Sequence, residues 1–295
     1  MRADAINSLS WVRGLVFITV TIYFATSKLL KIKHLSKFFE HYFHFFNTFF
    51  SFILCRLRGA IKQPINGLLY TQVIENHIII KFLTKYCDRS CHKKIVPSHA
   101  FNSLFKYCEA LTSAPTLSAT KLGNNCYYCM FRGCTSLTEA PALPAKVMAK
   151  VCYSGMFWGC TSLMKAPELP AMELAEYCYG GMFRDCISLT EAPELSATEL
   201  ASSCYGSMFK GCTSLTKAPV LPATELARAC YSGMFQGCMI LNYVKALFTD
   251  EPSKETTREW LLGVSPTGTF VKSKDATWDV RGENGIPKGW TVITE

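Results

Sequence analysis

Residues 204–222 read CYGSMFKGCTSLTKAPVLP, and the same pattern returns along the chain at a constant interval of 26 residues. Copies begin at Cys126, Cys152, Cys178, Cys204 and Cys230, and a degenerate copy precedes them from residue 99. A fixed period of this length is typical of repeat proteins in which each unit buries its apolar face against the next unit. The pattern therefore predicts a solenoid of stacked units that presents an extended surface.

Cysteine occupies two positions of every unit. Eleven of the 15 Cys fall in two columns, which are Cys126, Cys152, Cys178, Cys204 and Cys230, and Cys108, Cys134, Cys160, Cys186, Cys212 and Cys238. Equivalent residues of stacked units lie roughly 4.8 Å apart, whereas a disulfide needs Cβ atoms at about 3.8 Å. Each column is therefore predicted to consist of buried free thiols. The sequence does not decide whether a disulfide forms within a unit, such as between Cys204 and Cys212.

Within a unit, the apolar residues predict one helix and one strand. Leu200, Cys204 and Met208 recur at every fourth position, which is typical of one face of a short helix. Leu215, with its Thr and Ser neighbours, favours a short strand, which Pro219 must end because it lacks an N–H donor. The sequence thus predicts an α/β repeat with short parallel strands and short helices.

The charge distribution separates the repeats from the N-terminal third of the chain. Residues 1–100 hold 14 Lys and Arg against 4 Asp and Glu, whereas residues 126–238 hold 8 against 9. A nearly neutral array offers no basic face for phosphate contacts, so a nucleic-acid partner is not expected. Any attraction to a membrane belongs to the N-terminal segment.

The repeats offer no set of residues typical of an enzyme. All six His lie before residue 100, and identical units bring identical rather than dissimilar groups together. We therefore expect no catalytic residues, no cofactor and no metal site. The alternative left open is a thiol or metal-binding protein that uses the cysteine columns. Outside the columns, Cys87, Cys91 and His92 form a cluster of possible ligands that lacks a second half.

One column alternates in charge from unit to unit. The residues that precede each Ala-Pro pair, or its equivalent, are Ser113, Glu139, Lys165, Glu191, Lys217 and Tyr243. In stacked parallel strands such residues are neighbours, and opposite charges contribute roughly 0.2–1 kcal/mol per pair. The column either controls register and solubility or forms a stripe that binds a polar protein partner. Under the second interpretation, the candidate partner-binding residues are Glu139, Lys165, Glu191, Lys217 and Tyr243.

The segment MFxGCTSLT, followed by Leu-Pro, resembles the units of BspA-like leucine-rich repeats. The match covers about residues 99–245 and places the family's aromatic position at Phe131, Phe157, Phe183, Phe209 and Phe235. The resemblance implies a leucine-rich-repeat-like solenoid. It also implies a cell-surface or secreted protein of gut anaerobic bacteria that binds a protein or glycan partner, without enzymatic activity in the repeats.

The chain is predicted to have three segments. Residues 1–98 are hydrophobic and basic; Leu15 to Ala25 suits the core of a signal peptide, and the Phe-rich stretch after it suits a membrane anchor. A non-native extension upstream of the true start is the alternative. Residues 99–248 form the solenoid. Residues 249–295, which are similar to the tails of such arrays, form a small β cap.

Overall fold

The computed structural model of the chain describes residues 95–295. These residues form five strands, β1 (Ile95–Val96), β2 (Lys121–Leu122), β3 (Tyr243–Ala246), β4 (Gly268–Lys272) and β5 (Trp290–Thr294). β1 pairs with β2, while β3, β4 and β5 form a three-stranded sheet in that order, and every pairing is parallel. The prediction of short parallel strands is confirmed. The predicted signal or anchor before residue 95 lies outside the described residues.

The predicted helices are absent from residues 95–295, where the first eight residues of each unit form successive turns. Counted from the first Cys of a unit, positions 4 and 8 are left-handed, as in Cys129 (φ 51°). Met130 N–H donates to Tyr127 O within the unit (3.2 Å), whereas Phe131 N–H donates to Met156 O in the next unit (2.9 Å). A right-handed helix accommodates neither feature. The helix prediction is wrong because the four-residue spacing reports which side chains face inward, not how the backbone bonds.

Proline decides where the sheet is continuous. Position 16 is proline in the first four complete units, at Pro141, Pro167, Pro193 and Pro219. Single-residue bridges join Glu139 to Lys165 and Lys165 to Glu191 in this part of the array. In the last unit Lys245 replaces the proline, and β3 pairs with β4 over four residues. Since proline lacks the N–H that a ladder needs, the longer strand forms where proline is missing.

Two columns of aromatic rings run through the interior. Each ring at positions 2 and 6 stacks on its equivalent in the next unit, with ring centroids 5.4–5.7 Å apart for Phe and 5.7–6.2 Å apart for Tyr. Such pairs contribute about 0.5–1.5 kcal/mol each beyond the burial of their area. The buried rings are Tyr127, Tyr153, Tyr179, Tyr205 and Tyr231, and Phe105, Phe131, Phe157, Phe183, Phe209 and Phe235. The units therefore pack directly on one another through identical side chains.

The described cysteines are buried free thiols, as predicted. In addition, each thiol at position 9 donates a hydrogen bond to the carbonyl of the Phe one unit earlier. Cys160 Sγ lies 3.1 Å from Phe131 O, and Cys186 Sγ lies 3.1 Å from Phe157 O. The same bond recurs at 3.0–3.1 Å from Cys134, Cys212 and Cys238. The thiols thus link neighbouring units as well as filling the interior.

The aromatic columns end against the C-terminal residues. Trp260 stacks on Tyr231 with centroids 6.3 Å apart, and its indole N–H donates to the carbonyl of Gly285 (2.9 Å). Trp278 stacks on Phe248 at 4.8 Å and donates its indole N–H to the Phe248 carbonyl (3.1 Å). With β4 and β5, these residues cover rings of the last unit that would otherwise be exposed.

Candidate functional site

The alternating-charge column lies in register along the units. Parallel bridges join Glu139 to Lys165, Lys165 to Glu191, and Lys217 to Tyr243. The four charged side chains are exposed and Tyr243 is half-buried. Within residues 95–295 no ion pair joins these side chains, and Lys217 Nζ lies 4.8 Å from the centroid of the Tyr243 ring. The charges are therefore open to a partner, and the binding role of the column stays a prediction.

A second surface feature, which the sequence pattern did not predict, lies at positions 7 and 8. The guanidinium carbon of Arg132 lies 3.5 Å from the centroid of the Trp158 ring and 5.9 Å from that of Tyr107, while that of Arg184 lies 4.4 Å from Trp158. Asp185 Oδ2 accepts the Trp158 indole N–H (3.0 Å) and lies 3.6 Å from Arg184 Nε. Each cation–π contact contributes about 0.5–1 kcal/mol at a partly exposed site. We call these five residues the cation–π ladder.

A groove of about 310 Å³ adjoins the cation–π ladder and crosses five successive units. The groove runs over positions 3 and 4 of the units, with position 26 on one side and position 7 on the other. Position 7 contributes Trp158 and Arg184 to the lining, and position 26 contributes Tyr177, which is 48% exposed. The residues of positions 3 and 4 are mostly small and form the floor, with Tyr128, Cys129, Ser154, Gly155, Gly180, Gly181, Gly206, Ser207 and Ser232. The groove is therefore lined mostly by small residues and extends along the array.

The backbone of the groove floor is already hydrogen bonded. Gly155 N–H donates to Gly180 O (2.8 Å), and Gly181 N–H donates to Gly206 O (2.8 Å). The guanidinium groups of Arg132 and Arg184, by contrast, donate no hydrogen bond to any residue in the described range, and Arg184 Nε is buried without an acceptor there. Ring faces, hydroxyl groups and guanidinium donors are what the groove offers a ligand.

Departures from the repeat mark this region. Position 8 is glycine in most units, but Tyr107 and Asp185 hold the same left-handed backbone there (φ 62° and 58°). A non-glycine residue in this conformation costs about 1–3 kcal/mol and is often found at functional sites. Trp158 interrupts a column otherwise dominated by Lys and Arg, and Tyr177 is the largest residue at position 26. Comparing the units with one another could therefore have located the groove from the sequence.

The cysteine columns are poorly suited to thiol chemistry or to metal binding. Desolvation by burial raises the pKa of Cys126, Cys160 and Cys178 to about 12, although hydrogen bonds from backbone N–H groups oppose the shift. The thiolate is the form that attacks electrophiles and binds metals. Among residues 95–295, no group of three or more His, Cys, Asp or Glu could hold a metal ion. The cluster of Cys87, Cys91 and His92 lies outside the described residues.

The column thiols are expected to resist alkylation while the chain is folded. A rise in pKa of about three units lowers the thiolate fraction roughly a thousandfold near neutral pH, and burial blocks the reagent further. Iodoacetamide labelling followed by mass spectrometry, with and without denaturant, measures the difference. Cys108, at 9% the most exposed of the described cysteines, serves as an internal comparison. Rapid, uniform labelling of the folded chain would favour the thiol or metal-binding alternative.

No part of residues 95–295 forms a helix that is long and apolar enough to cross a membrane. Comparison of the chain with protein-family models, curated proteins and solved structures finds no significant match. The resemblance to BspA-like repeats therefore rests on the residue pattern alone. The described residues define a cysteine-rich repeat protein with buried thiol and aromatic columns and short parallel strands.

Proposed function

We propose that the chain is a non-enzymatic binding protein, displayed at the cell surface or secreted, whose repeats recognise a protein or glycan in the manner of an adhesin. One observation carries the proposal: side chains that are identical from unit to unit are buried, and side chains that differ lie outside. Positions 1, 2, 5, 6, 9 and 12 are Cys, Tyr, Met, Phe, Cys and Leu in all five units from Cys126 onward, and each is at most 2% exposed. The side chains that distinguish one unit from another therefore lie on the surface.

The arrangement of the outer columns suits recognition better than catalysis. Catalysis needs dissimilar groups that converge on one reacting atom. Each outer column instead places one side chain per unit at a regular interval, so an extended partner makes many weak contacts at once. When several groups of one partner bind at the same time, the total affinity exceeds the affinity of any single contact. The concave or flat faces of stacked repeats are used in this way.

The resemblance to BspA-like repeats supports export and adhesion, and the apolar run from Leu15 to Ala25 is consistent with export. The solenoid proposed here differs from the predicted one in a single respect. Turns with left-handed residues at positions 4 and 8 take the place of the short helices. The parallel bridges of the charged column keep the role of the short strands.

Binding of the full chain to glycan and protein arrays tests the proposal. We expect binding above background and, for a partner that docks on the charged column, a loss of about tenfold when Lys165→Glu and Lys217→Glu make the column uniformly acidic. A matched control, Lys254→Glu with Lys274→Glu, changes the net charge equally at exposed sites outside the repeats. A folded chain that stays at background on every array would overturn the proposal.

A further inference from the structure

Charge on the repeats is segregated by position, although the array is nearly neutral. Position 7 carries Arg132, Arg184 and Lys210, and Lys106 continues this column in the preceding unit. Of the nine carboxylates in residues 126–238, only Asp185 lies within the first nine positions of a unit. The remaining acidic side chains belong to other columns. Position 7 therefore forms a basic row beside the groove, which favours an anionic ligand.

The two arginines of this row are held in place without a hydrogen bond to another described residue, although Arg184 forms an ion pair with Asp185 (3.6 Å). Trp158 lies between them, with guanidinium carbons 3.5 and 4.4 Å from its ring centroid. Stacking restricts the rotamers of a long side chain, so less freedom is lost when a ligand binds. A guanidinium group recognises a carboxylate through two parallel hydrogen bonds. Because Asp185 is shared with the Trp158 indole, it leaves most of this capacity free.

The length of the groove favours a polymer. The guanidinium carbons of Arg132 and Arg184 lie 3.5 and 4.4 Å from the centroid of the same Trp158 ring, so they are no farther apart than the sum of these two distances. The lining of the groove extends over four unit steps, about 20 Å in all. A single small anion would occupy only part of this length, whereas an extended chain with acidic groups on several monomers would follow the groove past both arginines.

The floor of the groove argues for a sugar chain rather than a peptide. A peptide that adds as a strand needs unpaired backbone groups, and the N–H groups of Gly155 and Gly181 are already used. Protein partners also bind through large side chains that enter deep pockets, whereas this floor is lined mostly by Gly and Ser. Hydroxyl groups and the exposed ring of Tyr177 match the hydroxyl groups and C–H faces of sugar rings.

We propose that the groove binds an acidic polysaccharide laid along the array, with Arg132 and Arg184 holding its carboxylates and Tyr177 packing against a sugar ring. This inference deepens the proposed function and rests on it. It assigns the recognition surface to the groove beside the cation–π ladder instead of the alternating-charge column.

Titration of the full chain with polygalacturonate, followed by calorimetry, tests the assignment. We expect binding that weakens as salt screens the charges and that falls at least about tenfold in the double variant Arg132→Gln, Arg184→Gln. Glutamine already stands at position 7 as Gln236, so the fold tolerates it there. Tyr177→Ser, which copies Ser203 of the next unit, should weaken binding without a change in net charge.

The control variant Lys146→Gln, Arg228→Gln removes the same charge from two exposed sites outside the groove and should retain binding. Absence of binding by polygalacturonate, equal binding of neutral dextran, or an equal loss in the control variant would overturn the inference. Polyglutamate that binds as tightly, and with the same dependence on the two arginines, would replace it with a peptide site. Array ligands that ignore the groove variants but respond to Lys165→Glu, Lys217→Glu would leave the proposed function standing while this inference fails.

Discussion

Alkaline unfolding is expected to begin near pH 9 and to be steep. Below about pH 8.5 the thiols are protonated in the folded and the unfolded chain, so they contribute no pH dependence to the free energy of unfolding. Above that value the unfolded chain releases protons that the folded chain retains, because burial raises the pKa of thiols such as Cys126, Cys230 and Cys238 to about 12. The free energy of unfolding then falls by about 1.4 kcal/mol per thiol for each pH unit.

The number of thiols makes this effect large. Burial raises the pKa of nine column cysteines, so the combined slope approaches about 12 kcal/mol per pH unit. Total stabilities of about 5–15 kcal/mol are usual for a domain, so the fold should be lost within about one pH unit. The buried tyrosines, whose pKa is also raised by burial, add to the slope from about pH 10.

Circular dichroism during a pH titration, under reducing conditions that prevent thiol oxidation, measures the transition. The double variant Cys186→Ala, Cys212→Ala should lower the slope of stability against pH, because two titrating groups are gone. Replacement of the exposed Lys254 by Ala should leave the slope unchanged. A native spectrum that persists to pH 11 would show that the thiols are not buried as a column.

Truncation of one ring in the middle of the Phe column is expected to cost about 3–5 kcal/mol, the range for a buried Phe→Ala change. Phe183 is fully buried and stacks on Phe157 at 5.7 Å and on Phe209 at 5.6 Å. Phe183→Ala therefore opens a cavity and removes two stacking contacts. Its backbone carbonyl still accepts the Cys212 thiol, so the loss reports on the ring itself.

Urea unfolding of the Phe183→Ala variant measures this loss as a shift in the midpoint. Because each unit contacts mainly its neighbours, a weakened central interface should also reduce cooperativity and lower the m value. Met164→Ala, at a side chain that is 58% exposed, provides the control and should change stability by less than about 0.5 kcal/mol. Equal effects of the two substitutions would contradict the stacked aromatic column.

The two candidate sites differ in how well they could be predicted from the sequence. The alternating-charge column was located from the period, because equivalent residues of stacked units must become neighbours. The groove was not, since its lining joins Trp158 and Arg184 at position 7 with Tyr177 at position 26. A single 26-residue pattern does not indicate that positions 26 and 7 lie on the two sides of one groove. The departures of Trp158 and Tyr177 from their columns were the available signal.

The sequence by itself determined which residues are interior and which of them touch. A strict period places Cys on Cys, Tyr on Tyr and Phe on Phe, because any interior that repeats must repeat its contacts. Only the tertiary structure decided the path of the backbone between those contacts. The partner of Phe131 N–H is Met156 O, 25 residues away, and a bond of that range has no local signature. Turns therefore replace the expected helices, since hydrogen bonds between units outweigh the local preference that the four-residue spacing suggested.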